Sequence, residues 1–390
     1  MNTTKIKVFR ASIRLLKSNY AFPRDESSFN DPYIIWNFFK PVIMTGLVPI
    51  LGTFGFLFMA IKDRITSEQV YAISILSQFF LMYLIIIFTY LSAQKWKTLM
   101  VDLSEYKYGK PPYCDEMCKI LDRCAIYSFY FLRIKSIFHL IYSYWTNSFC
   151  EGSTIRGDHR YICGSTIPIW FPFEIKSRII RAMMIIGGNS LDFLHYCIFV
   201  LFALILFGSI LLIVLRVKHL KTMLCRVKSH RNEDKTEEEL DFCIKYHSEI
   251  VGLVQKMNDA GRYPLIPNYV SIPILLAMFS YQSLKMNDML ALLKLILWIG
   301  GVSLLCLAGQ QLEAESSSLT HIVSDLPYYK FNRKTKKNFL LFLARVGKPL
   351  NLEMKPFAKW NNDFLVTVIK GCYTYFMFLF QMSRKTNSGI

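Results

Sequence analysis

Seven long runs of apolar residues follow one another along the chain, and polar connections separate them. Each run has about the ~20 residues that an α-helix needs to cross the hydrocarbon core of a bilayer, or more. The first two contain no Asp, Glu, Lys or Arg. The pattern therefore predicts an all-α integral membrane protein with seven transmembrane helices, at residues 41–61, 70–93, 124–149, 183–215, 263–284, 289–312 and 364–382.

The composition agrees with a membrane protein. Hydrophobic residues make up 53% of the 390 residues, more than the core of a soluble domain requires. The net charge of +18 could indicate nucleic-acid binding, but the basic residues are spread through the connections and form no single stripe. An anionic membrane surface accounts for them better, so we expect membrane lipid, and no nucleic acid, as a partner.

The distribution of Lys and Arg predicts the orientation. The N-terminal segment and the connections on its side of the membrane hold 32 of these residues, whereas those on the other side and the C-terminal tail hold 10. Because cytoplasmic connections carry the excess of positive charge, the N-terminus is predicted in the cytoplasm and the C-terminus outside. This topology is opposite to that of a G-protein-coupled receptor.

No internal repeat or low-complexity linker divides the chain, so we expect one domain over residues 1–390. Residues 216–262 mix both signs of charge densely, as in long helices that project into water. Residues 313–363 are predicted to form a cytoplasmic helical anchor region that holds the base of the last span. The anchor region should contain a helix with one apolar face, made by Phe339, Phe342, Leu343 and Val346.

The last span, FLVTVIKGCYTYFMFLFQM at residues 364–382, places small and polar residues among its aromatic ones. Gly371, Thr374, Tyr375 and Gln381 are unusual on a helix that faces lipid, because polar groups in a span normally face protein or water. Two interpretations remain open from the residues alone. The segment is either a packed helix of the bundle or a helix that lines a pore.

Ionisable residues inside the other spans are further candidates for function. We expect Arg133 and Lys135 to extend toward the cytoplasmic surface, or their helix to project beyond the bilayer. Asp192 and His195 lie one helical turn apart in the outer part of the fourth span. Either His195 lines a cavity or the two side chains satisfy each other.

The outer halves of the second to fifth spans are rich in aromatic and sulfur-containing side chains. Cavities for small ligands have this composition, with a few polar groups that orient the ligand, and helix packing uses the same residues. We predict that together they form a binding site for a small ligand. The candidate residues are Phe79, Phe80, Tyr83, Phe138, His139, Tyr142, Trp145, Met184, His195, Phe199, Met278, Tyr281 and Gln282.

The sequence contains no constellation for metal binding or nucleophilic catalysis, so we expect neither an enzyme nor a cofactor. Cys114 and Cys118 lie four residues apart without a histidine at ligand spacing, and two thiols alone do not make a zinc site. Cys150 and Cys163 are the only cysteines predicted on the outer side. They form either a disulfide bond, which the oxidising environment allows, or two free thiols.

Three segments near the C-terminus carry a resemblance to a known family. They are GQQLEAESSSL at residues 309–319, PYYKFNRKTKKNFLLFLARVGKPLNL at residues 327–352 and IKGCYTYFMFL at residues 369–379. Their order and spacing resemble those of the insect odorant receptors. The resemblance covers about the last 80 residues.

The resemblance implies a ligand-gated, non-selective cation channel in which four subunits surround a pore lined by the last span. By position, Phe378 corresponds to the hydrophobic gate and Gln381 to the outer mouth of the pore, with Tyr375 also lining it. An apolar ring can close a narrow pore by dewetting, and a carboxamide can replace part of the hydration shell of an ion. We expect Lys370, at the inner end, to turn toward water or an acidic neighbour.

The resemblance also implies a partner and a location. The obligate co-receptor of the family carries a long insertion between the fourth and fifth spans, whereas only residues 216–262 lie there in this chain. We therefore expect an odour-tuning subunit that binds a small volatile molecule and forms a heterotetramer with the co-receptor. Its expected location is the plasma membrane of olfactory sensory dendrites. The ending TYFMFLFQ also resembles that of gustatory receptors, so a gustatory-type channel is the alternative, with a G-protein-coupled receptor less favoured.

Overall fold

A computed structural model describes most of the chain. The described residues are 6–18, 67–151, 177–229, 233–286, 289–354 and 358–387. The first predicted span, at residues 41–61, lies outside them.

Within the described residues the chain is almost entirely helical. A short 3₁₀ turn at Tyr328–Lys330 and a two-stranded antiparallel ribbon, β1 (Glu353–Met354) with β2 (Ala358–Lys359), are the exceptions there. The helices are α1 (Arg10–Ser18), α2 (Ser67–Leu91), α3 (Ala93–Ser104), α4 (Cys114–Glu151), α5 (Arg178–Ser229), α6 (Glu233–Met286), α7 (Met289–Ser324), α8 (Arg333–Val346) and α9 (Asn362–Asn387).

Five of these helices, α4, α5, α6, α7 and α9, are long and apolar enough to cross a membrane. They coincide with the third to seventh predicted spans. A sixth candidate consists of α2 and α3 together, which meet at a bend of 66°. The prediction of an all-α integral membrane protein is confirmed.

The two longest helices reach well beyond the thickness of a bilayer. With 52 residues in α5 and 54 in α6, each is about 80 Å long at ~1.5 Å per residue, whereas the hydrocarbon core measures ~30 Å. The predicted helical extensions in residues 216–262 are thus the end of α5 and the beginning of α6. The end of the bundle at which α5 and α7 terminate is called the base. The opposite half of the bundle is called the upper half.

A buried arginine joins three helices in the base. Arg216 of α5 donates hydrogen bonds to the carbonyl oxygens of Asp102 (3.1 Å), Leu103 (3.2 Å) and Glu105 (2.7 Å), at the C-terminal end of α3. Its other terminal nitrogen forms an ion pair with Glu249 of α6, at 2.7 Å. Since the last carbonyls of a helix have no partner within it, Arg216 satisfies them and fixes α3 against α5 and α6.

The helix predicted from residues 338–346 is α8. Asn332 caps it by accepting a hydrogen bond from the backbone N–H of Thr335, at 2.9 Å. The side chains of Phe339, Phe342 and Val346 are buried, as the apolar periodicity predicts. The apolar face of α8 therefore packs onto the base of the bundle.

The chain passes from α8 through the β-ribbon to the start of α9. The backbone N–H of Trp360 donates to the carbonyl of Leu352, at 2.9 Å, and the indole ring lies 4.8 Å from the ring of Phe364. A β-carbon at Gly309 of α7 would overlap the carbonyl oxygen of Trp360. Only glycine permits this approach, so α7 and the start of α9 are held together in the base.

Candidate functional site

A buried ion pair lies in the bundle between α4 and α5. The ammonium nitrogen of Lys135 is 3.2 Å from a carboxylate oxygen of Asp192, and both side chains are more than nine-tenths buried. The same ammonium lies 3.6 Å from the ring centroid of Tyr196. The expectation that Lys135 extends to the surface is therefore wrong, because its counter-ion stands on the neighbouring helix. Arg133 is exposed and its guanidinium lies over the ring of Phe193, at 4.7 Å.

Two further ionisable residues interact with this ion pair. His139 of α4 and Lys294 of α7 are both buried, and each interacts electrostatically with Asp192. Polar groups from two helices, α4 and α7, thus surround one carboxylate on α5. Such a cluster links α4, α5 and α7 inside the bundle, because separating these helices would leave charges without partners.

Asp192 and His195, which one interpretation of the sequence paired, form no hydrogen bond with each other and interact only electrostatically. The Nδ1 of His195 instead lies 2.8 Å from the carbonyl oxygen of Leu191, four residues earlier on α5. The ring packs edge-on against that of Phe79, with 4.9 Å between the centroids. Among the described residues, its Nε2 has no hydrogen-bond partner. The other interpretation, in which His195 lines a cavity, stays a prediction.

A polar contact between α2 and α6 lies in the upper half. Gln282 of α6 donates a hydrogen bond to the hydroxyl of Ser74, at 2.7 Å, and both side chains are buried. One turn further along α2, Gln78 is also fully buried, and neither its Nε2 nor its Oε1 has a hydrogen-bond partner in the described part of the chain. Gln78 is not among the residues predicted from sequence; its amide within the uncharged run 70–93 is the signal that could have indicated it.

Several predicted aromatic residues lie in the interior near these polar groups. Phe79 and Tyr281 are buried, whereas Tyr83 and Met278 are half-buried. Phe199 packs against Trp298 of α7, with ring centroids 4.7 Å apart. Among the described residues, Phe79 and His195 are thus two predicted residues in direct contact, whereas a common site for the other buried candidates stays a prediction.

The other predicted residues do not join this group. Their side chains are exposed in the single chain, and three of the five lie on α4. Their contact with a ligand stays a prediction, and a surface toward lipid is the simpler role for large apolar side chains there. These residues are Phe80, Phe138, Tyr142, Trp145 and Met184.

Helix α6 connects the interior of the upper half to α9. The ring of Tyr269 stacks on Phe364 with centroids 5.9 Å apart, at the start of α9. Further up, a β-carbon at Gly371 would lie 3.1 Å from the Cβ of Pro273, so the two helices approach closely at this point. Helix α6 contains three prolines, and each removes one backbone hydrogen bond from the helix. The contact with α9 therefore lies on the part of α6 that has the weakest internal support.

Polar residues form an exposed stripe along α9. Thr367, Lys370, Thr374 and Gln381 are exposed, and Phe378 between them is 58% exposed. The spacing of three or four residues places all five on one face of the helix, which we call the α9 stripe. Val368 and Phe364, on the opposite face, are buried. Tyr375, at the edge of the stripe, is 44% exposed.

The predictions for the cysteines have different outcomes. The side chain of Cys150 and the whole of Cys163 lie outside the described part of the structure, so the choice between a disulfide and free thiols stays open. The sulfur of Cys114 lies 3.0 Å from the hydroxyl oxygen of Tyr106. A hydrogen bond from Cys118 lowers the pKa of the Cys114 thiol to about 6. No group of three His, Cys, Asp or Glu residues that could hold a metal occurs within the described ranges.

Long apolar helices, a buried polar interior in the upper half and an exposed polar stripe on the last span define a multi-span membrane receptor or channel. The sequence model of the 7tm Odorant receptor family matches residues 66–373, which is most of the chain. The chain therefore belongs to the odorant receptor family. It is an odorant receptor and not an enzyme, and this assignment decides between the odorant and gustatory alternatives.

Solved structures share the fold. The insect olfactory receptor OR5 from Machilis hrabei superposes with a TM-score of 0.74 at 15% sequence identity, covering 95% of this chain and 97% of that one. The same receptor in complex with eugenol gives a TM-score of 0.72 at 16% identity, with the same coverage. A comparison with curated protein sequences gave no match.

Proposed function

We propose that this odorant receptor is the odour-binding subunit of a ligand-gated, non-selective cation channel, formed as a heterotetramer with an odorant co-receptor. The observation that carries the proposal is the α9 stripe. Facing lipid, its threonine, lysine and glutamine side chains would be cut off from water, which is costly. Around a water-filled pore the same side chains are hydrated, so a pore along α9 accounts for the stripe.

The residues of the stripe have distinct roles in such a pore. Phe378 is the one large apolar residue in the stripe, and its aromatic ring would contribute to an apolar constriction that closes the pore by excluding water. Gln381 follows by one turn and would contact ions at the outer mouth. Lys370, which is exposed as we expected, would lie where the pore widens toward the cytoplasm. Tyr375 would border the pore beside a neighbouring subunit.

Ligand binding would reach the gate through α6. Gln282 and Tyr281 of this helix belong to the buried group in the upper half, and Pro273 packs on Gly371 of α9. A ligand that binds one packing of α6 on α9 more tightly than the other shifts the population toward the open state. The three prolines favour such a rearrangement, because the helix around them has fewer internal hydrogen bonds to lose.

Three observations support the identity and the orientation of the subunit. Helix α5 ends at Ser229 and α6 begins at Glu233, so the long insertion that we associate with the co-receptor is absent between these two helices. The excess of Lys and Arg in the connections at the base supports an orientation with the base in the cytoplasm and the upper half outside. The eugenol complex of the Machilis hrabei receptor supports a small volatile ligand. We place the channel in the plasma membrane of olfactory sensory dendrites.

The proposal is tested by whole-cell current in a heterologous cell. The chain is expressed with and without an odorant co-receptor and exposed to a broad panel of volatile molecules. Odour-evoked cation current only in the presence of both subunits is the expected result. Current from this chain alone would contradict the heteromeric assembly. Absence of current both with and without the co-receptor, at verified surface expression, would contradict the function itself.

Two variants of α9 then test the gate. Phe378→Ala should raise the current measured without ligand. The smaller side chain widens the apolar constriction, so that the constriction no longer excludes water from the pore. Tyr373→Ala is the matched control, since Tyr373 is 65% exposed on the same helix but lies outside the stripe. An equal effect of both variants on the resting current, or none from Phe378→Ala, would show that the stripe does not face the pore.

A further inference from the structure

We infer that the buried site in the upper half selects neutral ligands that carry a hydroxyl group, recognised by His195 and Gln78. The inference rests on the proposed function, in which this site binds the odorant, and it adds the chemical class of the ligand. Two side chains on neighbouring helices carry it, because both are buried and keep polar atoms that have no hydrogen-bond partner among the described residues.

The hydrogen bond of His195 defines which of its nitrogens can accept. A backbone carbonyl can only accept a hydrogen bond, so the contact of 2.8 Å with Leu191 places the ring hydrogen on Nδ1. The neutral ring then presents a bare lone pair at Nε2. This atom is buried and has no partner in the described residues. A molecule that satisfies it must donate a hydrogen bond.

Gln78 offers the complementary groups. Its side chain is fully buried, and neither the amide nitrogen nor the oxygen has a partner among the described residues. Phe79, the next residue on α2, packs its ring 4.9 Å from the ring of His195. Phe79 thus contacts the ring of His195 and directly follows Gln78, so both buried side chains lie near the same contact of α2 with α5.

Leaving such groups without partners is costly. A buried polar group without a hydrogen bond typically costs about 1–3 kcal/mol, so two of them in one site are unusual unless something else satisfies them. A hydroxyl donates one hydrogen bond and accepts two, which matches the acceptor on His195 and the donors on Gln78. A ketone, an ester or an ether can only accept, and would leave the Nε2 of His195 without a partner.

The neighbouring polar groups do not compete with this assignment. Ser74 and Gln282 bind each other, and Lys135 is held by Asp192. The Oδ1 of Asp192 has no hydrogen-bond partner in the described residues, and as a carboxylate oxygen it too would be satisfied only by a donor. Apolar side chains beside His195 and Gln78 would provide dispersion contacts for a carbon skeleton. Buried residues among them include Ile75 and Phe79.

The test uses matched sets of volatile molecules that share one carbon skeleton. Each set contains an alcohol, its methyl ether, the corresponding ketone or aldehyde, the corresponding acid and the hydrocarbon. Dose–response curves are recorded from cells that express the receptor with an odorant co-receptor. In the sets whose members evoke a current, the alcohol should reach half-maximal current at a concentration at least ~10-fold lower than the ether does. This ratio corresponds to one hydrogen bond of about 1.4 kcal/mol.

Three variants separate recognition from a general effect on the fold. His195→Leu and Gln78→Met remove the polar groups and keep side chains of similar size. Each should lower the ratio of the half-maximal concentrations of ether and alcohol toward 1, while the potency of the ether stays the same. Ser209→Ala is the control, since its buried hydroxyl bonds within its own helix to the carbonyl of Ile205, at 2.7 Å. It should leave the preference unchanged.

Each possible outcome either supports or contradicts the inference. Equal potency of alcohol and ether in the unmodified receptor, an acid as the most potent member, or an equal shift of all members by His195→Leu would overturn the inference and leave the odour-gated function in place. Absence of current for every compound, at verified surface expression, would instead overturn the proposed function on which the inference rests.

Discussion

The ion pair between Lys135 and Asp192 gives the most direct test of the packing in the interior. Their side chains are 6% and 4% exposed, and the contact measures 3.2 Å. Removing one charge of such a pair leaves the other buried without compensation, which costs about 3–5 kcal/mol. We therefore expect Asp192→Asn to lower the stability of the folded receptor by about this amount, because the ammonium of Lys135 keeps its charge.

A matched control is available in the base. Lys228 and Asp325 also form an ion pair, at 3.5 Å, but their side chains are 54% and 67% exposed. Exposed pairs contribute about 0–1 kcal/mol, so Asp325→Asn should have almost no effect. The comparison keeps the chemical change constant and varies only the burial.

The assay is thermal unfolding of the receptor in detergent, followed by the loss of the monodisperse peak in size-exclusion chromatography. Asp192→Asn should unfold at a clearly lower temperature than the unmodified receptor, and Asp325→Asn at nearly the same one. The double variant Lys135→Met with Asp192→Leu should recover much of the loss, since an apolar pair of similar volume replaces both charges. Equal unfolding temperatures for the two single variants, or a double variant less stable than Asp192→Asn, would refute the reasoning.

Two further predictions concern the base. Gly309→Ala should reduce thermal stability and surface expression, because its β-carbon overlaps the carbonyl oxygen of Trp360, whereas Gly301→Ala on the same helix meets nothing within 4 Å and should be neutral in the same assay. Burial, and to a lesser degree Arg345, lowers the pKa of His247 to about 4. Since the unfolded chain takes up this proton near pH ~6.5, stability is constant above that pH and falls by up to about 1.4 kcal/mol per pH unit as the pH decreases toward ~4. Unfolding temperatures at about pH 7.5 and 5 should therefore differ less in His247→Phe than in the unmodified receptor; an unchanged difference would contradict the assignment.

The upper-half site shows why sequence alone cannot decide how a polar residue in a span is used. Lys135 and Asp192 lie 57 positions apart in the chain, and each alone is compatible with a side chain that reaches toward the surface. Their pairing depends on the register of α4 against α5, which long-range packing sets. For the same reason, an aromatic residue such as Phe138 could be assigned to a depth in the membrane but not to a side of its helix.

Sequence patterns determined the class of the protein, the number and position of the spans that the structure describes, and the apolar face of α8, because these follow from local periodicity and from the length needed to cross a bilayer. The three C-terminal segments were also sufficient to indicate the odorant receptor family, which the match over residues 66–373 confirms.

Tertiary structure alone decided which side chains meet. Within the part of the chain that the structure describes, it buried Gln78 and the Nε2 of His195 without hydrogen-bond partners, paired Lys135 with Asp192, and left the α9 stripe exposed while Phe364 and Val368 pack inside. The physical reason is that hydrogen bonds and ion pairs in the bundle join residues far apart in the chain. Their formation depends on the rotation and height of each helix, which the packing of all the helices fixes together.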